Sequence, residues 1–468
     1  MRIFRSFCPS WVRRLVGAAT IVALAGCDVT GVALRDAPAV PASFSIAQNG
    51  SPASLATIGW WTEFDDPTLN SLVDRGFEQN LTLLQVLERV RAAEAVAAAS
   101  GRPFSSSGSA QATESGASNR DSTFNKTVGA SASYIVDLFG GLRNRRARDQ
   151  ALLAEALENQ NNTRLLFLSS ITEAYVDLRF FQLLLQSRQA DVTSRHLTLS
   201  NTRTLLDSGE ATQLDLAQSQ ASLSTAEAEI PLQQASIERQ KNRIATLLGL
   251  PAGTLDPQLS AVTRQPVPST DIIIGVPADL IRNRPDVRAA EQRYLQAFAE
   301  IGIRRAALYP SLQIGGSIQA SQQSAVEVQT WSFGPTLNIP IFNQGALRAD
   351  VTAAEARARE AYLFWAETVL QGIEEVETAL VTYRAAQQAA AKSGEAVQQN
   401  ERALRLSRSL VTSGEITLLQ IIELERRLAD ARTDFRSNLR QTSRDYITLM
   451  IALGAGYNVP PLQVASAG

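Results

Sequence analysis

Leu205–Thr212 reads LLDSGEAT, and Leu410–Thr417, 205 residues further along the chain, reads LVTSGEIT. Forty residues past the glycine of each stretch comes a Leu-Gly pair, at Leu248-Gly249 and at Leu453-Gly454. Landmarks that recur at a constant offset indicate that one structural unit is present twice. The predicted divisions of the chain are a first repeat at residues 59–250, a proline-rich connector at 251–277, a second repeat at 278–455 and a tail at 456–468.

Each repeat is predicted to contain a helix, a β-hairpin, a long helix, a tight turn and a further helix. The long helices cover residues 144–206 and 346–411, which lack proline and are rich in helix-forming Ala, Leu, Glu, Arg and Gln. At 1.5 Å per residue each would measure about 90 to 100 Å, a length typical of coiled coils and helical tubes. A spacing of three and four predicts a buried stripe made of Leu165, Leu168, Ile171, Tyr175, Leu178 and Phe181.

The two turns, residues 207–211 and 412–416, both contain the triplet Ser-Gly-Glu. Gly209 and Gly414 can adopt the left-handed conformation that ends a helix, and the glutamate that follows suits the N-terminus of the next one. The helices predicted after the turns are residues 212–248 and 417–453.

Two segments, about residues 105–137 and 311–341, alternate between apolar and polar side chains and are predicted to form β-hairpins. About ten residues of such alternation is the length and pattern of a strand that spans a membrane. The apolar face of the last strand is predicted to contain Trp331, Phe333, Leu337, Ile339 and Ile341. The alternative is a soluble amphipathic hairpin that packs on its own domain.

The number of predicted strands bears on oligomeric state. Two hairpins provide four strands, whereas the smallest single-chain membrane barrels have about eight. An open sheet edge cannot lie in hydrocarbon, because each unpaired backbone group costs several kcal/mol there. If the hairpins cross a membrane, several chains must therefore contribute to one barrel.

The N-terminus has the features of a secretory signal at residues 1–26, with four arginines before a short apolar run, Leu15–Ala25. Leu24-Ala25-Gly26-Cys27 resembles a bacterial lipobox, which would make Cys27 the acylated first residue of the mature chain. Residues 27–58 are then a lipidated, extended segment. The alternative is an ordinary signal peptide with an incidental cysteine.

Composition argues against catalysis and against nucleic-acid binding. The chain has two cysteines, Cys8 and Cys27, and one histidine, His196, which is too few for a disulfide in the mature chain, a zinc site or a Cys/His dyad. No cofactor is predicted other than a covalent lipid on Cys27. The formal net charge of −2 lacks the basic excess of nucleic-acid-binding proteins. No apolar stretch after the signal is long enough for a transmembrane helix.

Three further motifs resemble one protein family. Gly59–Leu69, which reads GWWTEFDDPTL, is similar to the "WW..F.DP.L" motif of TolC-type outer-membrane efflux lipoproteins, the OprM/NodT branch. Arg284–Glu291, RPDVRAAE, resembles a second signature of that branch. Leu308–Leu312, LYPSL, resembles the approach to its second hairpin. The resemblance covers essentially the whole mature chain, in order.

The resemblance implies a mixed α and β fold, mainly α, that assembles as a homotrimer. Four strands from each protomer would close a twelve-stranded transmembrane β-barrel in the outer membrane, and a long periplasmic α-helical barrel would continue it. The implied function is passive export of small toxic compounds or drugs. The implied partners are a periplasmic adaptor protein, an inner-membrane RND-type transporter and outer-membrane lipid.

The resemblance also assigns roles to residues at the two turns. The residues implied to contact the adaptor are Ser208, Gly209, Glu210, Ala211, Thr212, Ser413, Gly414, Glu415, Ile416 and Thr417. The positions implied to form the periplasmic gate are Asp215, Gln420 and Glu423. Gln420 departs from the acidic residue found in the best-known members of the family. The alternative for the first set is a turn that only reverses the chain, and the alternative for the second set is a group of solvated side chains without a gating role.

Two alternatives to the efflux function are a duct for type I protein secretion and a lipid-anchored periplasmic coiled coil. The lipobox and the double tryptophan favour the efflux branch. Asp28, directly after Cys27, resembles an inner-membrane retention signal of enteric bacteria, which a trimeric barrel is expected to override.

Overall fold

A computed structural model describes residues 35–38, 59–117, 120–268, 283–323, 326–411 and 417–458. The predicted signal, Cys27 with nearly all of the segment after it, and residues 412–416 of the second turn lie outside these ranges. The described chain forms two compact units. The first contains residues 35–38, Arg89–Leu157 and Ala289–Ala366, and the second contains the remainder.

The helices and strands follow one another in a twofold order, with a short 3-10 helix, Trp60–Phe64, before the first of them. Within the described ranges, the first repeat contains α1 (Pro67–Gln79), α2 (Leu81–Ala99), β1 (Phe104–Ala117), β2 (Arg120–Val136), α3 (Gly141–Asp207) and α4 (Gln213–Leu247). After the short α5 (Asp256–Leu259), the second contains α6 (Pro285–Ala306), β3 (Ser311–Gln323), β4 (Val326–Asn338), α7 (Gln344–Val411) and α8 (Leu418–Ala452).

The first unit contains an antiparallel four-stranded sheet in the order β1-β2-β3-β4. Its register places Phe104 opposite Tyr134, and Tyr134 opposite Ile314. β4 ends at Asn338, so Ile339 and Ile341, which the alternation assigned to this strand, lie beyond it. Asn338 pairs with Ser311, the first residue of β3, so the β3–β4 ladder ends there.

The first turn has the backbone geometry that the sequence pattern predicts. α3 ends at Asp207, and Gly209 has a φ of 82°, in the left-handed region. The N–H groups of Gly209 and Glu210 donate to the carbonyls of Leu206 and Leu205, at 3.0 and 2.8 Å. These bonds satisfy carbonyls at the end of α3 that have no partner within the helix.

The core of the second unit contains the double-tryptophan motif. Trp60, Trp61 and Phe64 are buried, and the rings of Trp60 and Phe64 meet Tyr446 of α8 edge-on, with centroids 6.1 and 5.5 Å away. The indole N–H of Trp60 donates to the carbonyl of Ala455 at 3.1 Å. The motif therefore joins the start of the first repeat to the end of the second.

Asp66 of the same motif begins α1 and anchors it to α3. Its Oδ1 accepts the backbone N–H groups of Thr68 and Leu69, and its Oδ2 accepts the buried hydroxyl of Tyr175 at 2.6 Å. The hydroxyl in turn accepts from the guanidinium of Arg179 at 2.8 Å. Burial, followed by the bond to Asp66, raises the pKa of Tyr175 to about 12, so the phenol remains a donor at neutral pH.

The two repeats use the same device at equivalent helix ends. Asn80 donates from its side chain to the carbonyl of Leu247, near the end of α4, at 2.7 Å. Arg284, at the matching place in the second repeat, donates to the carbonyl of Ala452 at 2.8 Å. Each of these helix ends is followed by a glycine in the left-handed conformation, with φ of 70° at Gly249 and 67° at Gly454. Side chains thus supply donors to helix carbonyls that lack partners within their own helix.

Candidate functional site

The first turn presents an exposed backbone. Ser208, Gly209, Glu210 and Thr212 are exposed, and Ala211 is half-buried. The hydroxyl of Ser208 donates to the carbonyl of Leu205 at 3.0 Å, and no described atom lies within 4 Å of a Cβ built on Gly209. The turn therefore has a fixed local conformation and an accessible surface, as a docking segment requires.

Asp215 belongs to the helix cap of α4. Its carboxylate accepts the backbone N–H of Thr212 at 2.8 Å and the hydroxyl of Thr212 at 2.7 Å, and its own N–H donates to that hydroxyl. These bonds form a capping box. The hydrogen bond from the Thr212 hydroxyl, followed by that from the backbone, holds the pKa of Asp215 below its ordinary value.

Gln420 occupies the equivalent position at the start of α8. Its side-chain carbonyl accepts the backbone N–H of Thr417 at 3.0 Å, as the carboxylate of Asp215 does from Thr212. Glutamine serves this position of a capping box as well as an acid does. Gln420 therefore makes the same cap as Asp215 without its charge.

Glu423 lies one helical turn further on and is paired with arginines. Its carboxylate contacts the guanidinium of Arg426 at 2.9 and 3.0 Å and that of Arg427 at 2.9 Å, and Arg426 also contacts Asp430 at 3.0 Å. The bonds from Arg426 and then Arg427 lower the pKa of Glu423 to about 2. The carboxylate is thus ionised above that pH, but its charge is locally neutralised.

Each of the predicted gate residues has hydrogen-bond or ion-pair partners within the described chain. Asp215 is bound to Thr212, Gln420 is bound to Thr417, and Glu423 is bound to two arginines. Of the residues implied to contact an adaptor in the second turn, Ser413, Gly414, Glu415 and Ile416 lie outside the described residues. Thr417 is described and precedes α8 as its N-cap.

A buried carboxylate near this end of the helices was missed by the sequence analysis. Glu425 is 6% exposed, and its Oε1 accepts from Ser194 at 2.8 Å, Thr198 at 3.0 Å and Arg408 at 3.0 Å. These partners lie on α3 and α7, so one acid links three helices. The available signal was its spacing from the buried Ile421 and Leu428, which places Glu425 on the apolar stripe of α8.

His196 is the single histidine of the chain. The imidazole of His196 is exposed and lies 3.4 Å from Glu227. Over the described ranges, no group of three His, Cys, Asp or Glu residues is placed to hold a metal ion. Within the same ranges, no helix combines the length and the hydropathy needed to cross a membrane.

Together these features define a protein of long helices and a four-stranded antiparallel sheet, with an exposed helix-turn-helix end in the first repeat, and the comparisons assign it to the class of outer-membrane channels. The chain belongs to the outer membrane efflux protein family, whose sequence model matches residues 72–250 and 276–455. The two matched segments follow the two repeats. The family consists of efflux channels that act as passive conduits, and the chain is accordingly an outer-membrane efflux channel and not an enzyme.

The relatives cover nearly the whole chain. Nodulation protein T of Rhizobium leguminosarum bv. trifolii is 35% identical over 457 residues, which cover 95% of this chain and 97% of the relative. The pyoverdine export outer membrane protein OpmQ of Pseudomonas putida is 28% identical over 442 residues, covering 90% and 92%. The solved outer-membrane channel OprN superposes with a TM-score of 0.80 at 26% identity, covering 91% of this chain and 99% of that one.

Proposed function

We propose that the chain forms a lipid-anchored homotrimer, in which three four-stranded sheets close one twelve-stranded barrel in the outer membrane. The two exposed faces and two free edges of the sheet carry this proposal. Trp331 and Phe333 on β4 are 80% and 77% exposed, although side chains of this size are usually covered in a protein surrounded by water. Lipid would cover the exposed apolar side chains on one face, and neighbouring protomers would pair with the backbone at the β1 and β4 edges.

The opposite face of the sheet suits an aqueous lumen. Ser107, Ser131, Ser317 and Ser332 lie in one register row across all four strands. Their hydroxyls pair across the strands at 2.8 Å for Ser107 and Ser131 and at 2.9 Å for Ser317 and Ser332. A polar interior and an apolar exterior that alternate along each strand are the pattern of membrane barrels.

The proposed role is the exit duct of a tripartite RND-type pump for small toxic compounds. The long helices α3, α4, α7 and α8 would form the periplasmic tube. The exposed first turn, with its counterpart at residues 412–416, would bind the periplasmic adaptor, which joins the duct to the inner-membrane transporter. Cys27 would bear the lipid. The relative OpmQ is a pyoverdine export outer membrane protein, which supports an export role for this chain.

Deletion of the protein tests its role in export. With the inner-membrane transporter of the pump intact, cells that lack this chain are expected to become sensitive to compounds within a panel of dyes, detergents and antibiotics. The control is complementation with a variant that lacks residues 207–211, which is expected to reach the outer membrane without restoring resistance. Unchanged sensitivity to every compound, in a strain with no second duct, contradicts the proposed function.

Glu423 is proposed to contribute to cation preference at the periplasmic end. Glu423→Gln leaves Arg426 and Arg427 without their shared carboxylate, so the ratio of cation to anion permeability in planar bilayers is expected to fall. Because the pKa of Glu423 is about 2 rather than the ordinary 4.5, the native ratio should stay constant as pH falls from neutrality to about 4. The stabilisation from these pairs is present above the ordinary pKa and is lost as the pH falls through about 2.

Asp215→Asn is the companion variant for this measurement. It removes a second carboxylate at the equivalent end of the first repeat while leaving a side-chain oxygen to accept from Thr212. Ion selectivity that is the same in the native channel, in Glu423→Gln and in the double variant excludes these carboxylates as a selectivity ring.

A further inference from the structure

The apolar face of the sheet contains a groove of about 720 Å³. Small residues form its floor over three strands, because Ser106, Ala132 and Gly316 lie side by side in one register row, which ends at Phe333 on β4. The next row on the same face, Phe104, Tyr134 and Ile314, forms a wall on one side. On the face proposed to meet the membrane, the groove thus lies over small residues of β1, β2 and β3, with Phe333 at its β4 end.

A flexible hydrocarbon chain is the occupant that fits this groove in a bilayer. Its lining is mainly apolar, so water would find few hydrogen-bond partners, and an unfilled hollow forfeits dispersion contacts along its whole length. An acyl chain is narrow, unbranched and conformationally adaptable. It can lie against Ala132 and Gly316 between the larger side chains without moving the backbone.

Arg35, which follows the proposed lipidated Cys27 by eight residues, contacts α6 and α7 of the first unit. The backbone N–H of Arg35 donates to the hydroxyl of Tyr294 on α6 at 3.0 Å. The guanidinium of Arg35 lies 5.0 Å from the centroid of the Tyr362 ring on α7, in a cation–π contact. These contacts lie within the first unit and fix the position from which the preceding residues extend.

The extended length of the chain from Cys27 to Arg35 can be compared with the distance from Tyr294 to the start of β3. Cys27 precedes Arg35 by eight positions, which span at most about 26 to 29 Å when extended. Tyr294 precedes the end of α6 at Ala306 by about 18 Å of helix. The turn that follows, with bonds to carbonyls three residues back, adds about 10 Å up to the start of β3. Cys27 can therefore reach the level at which β3 begins, three residues or about 10 Å before the row of Ile314, and its acyl chain would span that distance to the groove.

We propose that an acyl chain of the lipid on Cys27 lies in the groove over Ala132 and Gly316. The proposal rests on the proposed function, since it requires both the lipid and a membrane-facing sheet. It assigns the anchor a second role besides membrane affinity. Seated in the groove, the anchor ties the N-terminal segment to the barrel wall of its own protomer.

Photocrosslinking of the full-length trimer tests the proposal. Cells are grown with a fatty acid that carries a diazirine, the protein is irradiated in outer membranes, and crosslinked peptides are identified by mass. The expected product joins the acylated Cys27 peptide to strand peptides that contain Ala132 or Gly316. Crosslinks from these strands to phospholipid alone overturn the proposal, as does an acylated Cys27 peptide that is crosslinked only elsewhere.

Ala132→Trp and Ser131→Trp form a matched pair for this experiment. The two residues are neighbours on β2 whose side chains lie on opposite faces of the sheet, and both are exposed. Ala132→Trp fills the groove and is expected to reduce the crosslink several-fold, whereas Ser131→Trp should leave it unchanged. Equal yields from the two variants overturn the proposal.

The same sample separates failure of this inference from failure of the proposed function. A Cys27 peptide of unmodified mass refutes the lipid anchor itself and removes the occupant of the groove. An acylated peptide without the strand crosslink refutes the groove alone. Export is scored independently, by the sensitivity of cells to toxic compounds.

Discussion

Arg284→Ala is expected to lower the free energy of unfolding by about 3 to 5 kcal/mol, the cost of removing one partner from a buried, charged network. The side chain of Arg284 is 9% exposed and donates to the carbonyl of Ala452 at 2.8 Å. It also contacts Asp286 at 2.7 Å and Glu375 at 2.6 Å. The variant leaves a buried carbonyl without a donor and two acids without their cation.

The charge on Arg284 is maintained in spite of its burial. Burial works against the charged form, but the hydrogen bond to Asp286 and the nearby charges of Asp286 and Glu375 more than offset it and raise the pKa of Arg284. Glu375 is 55% exposed, so solvent screens its share of the interaction. Most of the expected loss therefore arises from Asp286 and from the end of α8.

Thermal unfolding of the purified trimer, followed by helical circular dichroism, measures this effect. The control is Arg264→Ala, because Arg264 and its partner Asp65 are 68% and 86% exposed and such pairs contribute about 0 to 1 kcal/mol. Asn80→Ala should lie between the two, since it removes a neutral bond to the equivalent carbonyl, worth about 1 to 3 kcal/mol when a buried acceptor is left unpaired. Equal melting temperatures for Arg284→Ala and Arg264→Ala would refute a structural role for the hydrogen bond between Arg284 and the carbonyl of Ala452.

Local signals in the sequence predicted the long helices and the first turn, whereas the second turn lies outside the described residues. Gly209 recurs as Gly414 in the same triplet, and the residues on both sides have strong helix propensity, so the reversal could be inferred without a structure. The stripe on α3 was equally accessible, since a period of three and four requires no knowledge of the partner helix. Leu165, Leu168, Ile171, Tyr175 and Leu178 are buried, and Phe181 at the end of the stripe is partly buried.

Contacts between distant parts of the chain could not be read in the same way. Trp60 donates to Ala455 and Arg284 donates to Ala452, and nothing in the spacing of these residues indicates that they meet. The resemblance identified both motifs without explaining them. The structure shows that both serve the end of α8, and that a neutral Asn80 does in the first repeat what a charged Arg284 does in the second.

The candidate gate illustrates the same limit. Glu423 and its arginines are three and four residues apart on one helix, so their pairing was predictable from spacing alone. The partners of Glu425 on α3 and α7 were not, because which face of α8 meets those helices depends on the fold. The duplicated sequence therefore identifies candidate positions at the turns, but it does not indicate which partners neutralise a carboxylate such as Glu425.

Gly76→Leu is expected to destabilise the second unit by about 1 to 3 kcal/mol or more, the usual cost of overpacking a core. Gly76 is buried on α1, and a Cβ built there would lie 2.0 Å from Cζ of Phe167 on α3. The ring of Phe167 is itself held, since it is 5% exposed and its centroid lies 5.6 Å from that of Phe77. Helix propensity alone predicts that Gly76→Leu stabilises the protein, because leucine is favoured over glycine in a helix by somewhat less than about 1 kcal/mol.

A double-mutant cycle with Phe167→Ala decides which effect prevails. Phe167→Ala alone should cost about 3 to 5 kcal/mol through the cavity that it leaves. In the double variant the leucine can occupy that cavity, so the combined loss should be smaller than the sum of the two single losses. Gly345→Leu is the matched control, because no described atom lies within 4 Å of a Cβ at Gly345, in the first turn of α7. If Gly76→Leu unfolds at the same temperature as Gly345→Leu, the close approach of α1 to Phe167 is not what requires glycine at this position.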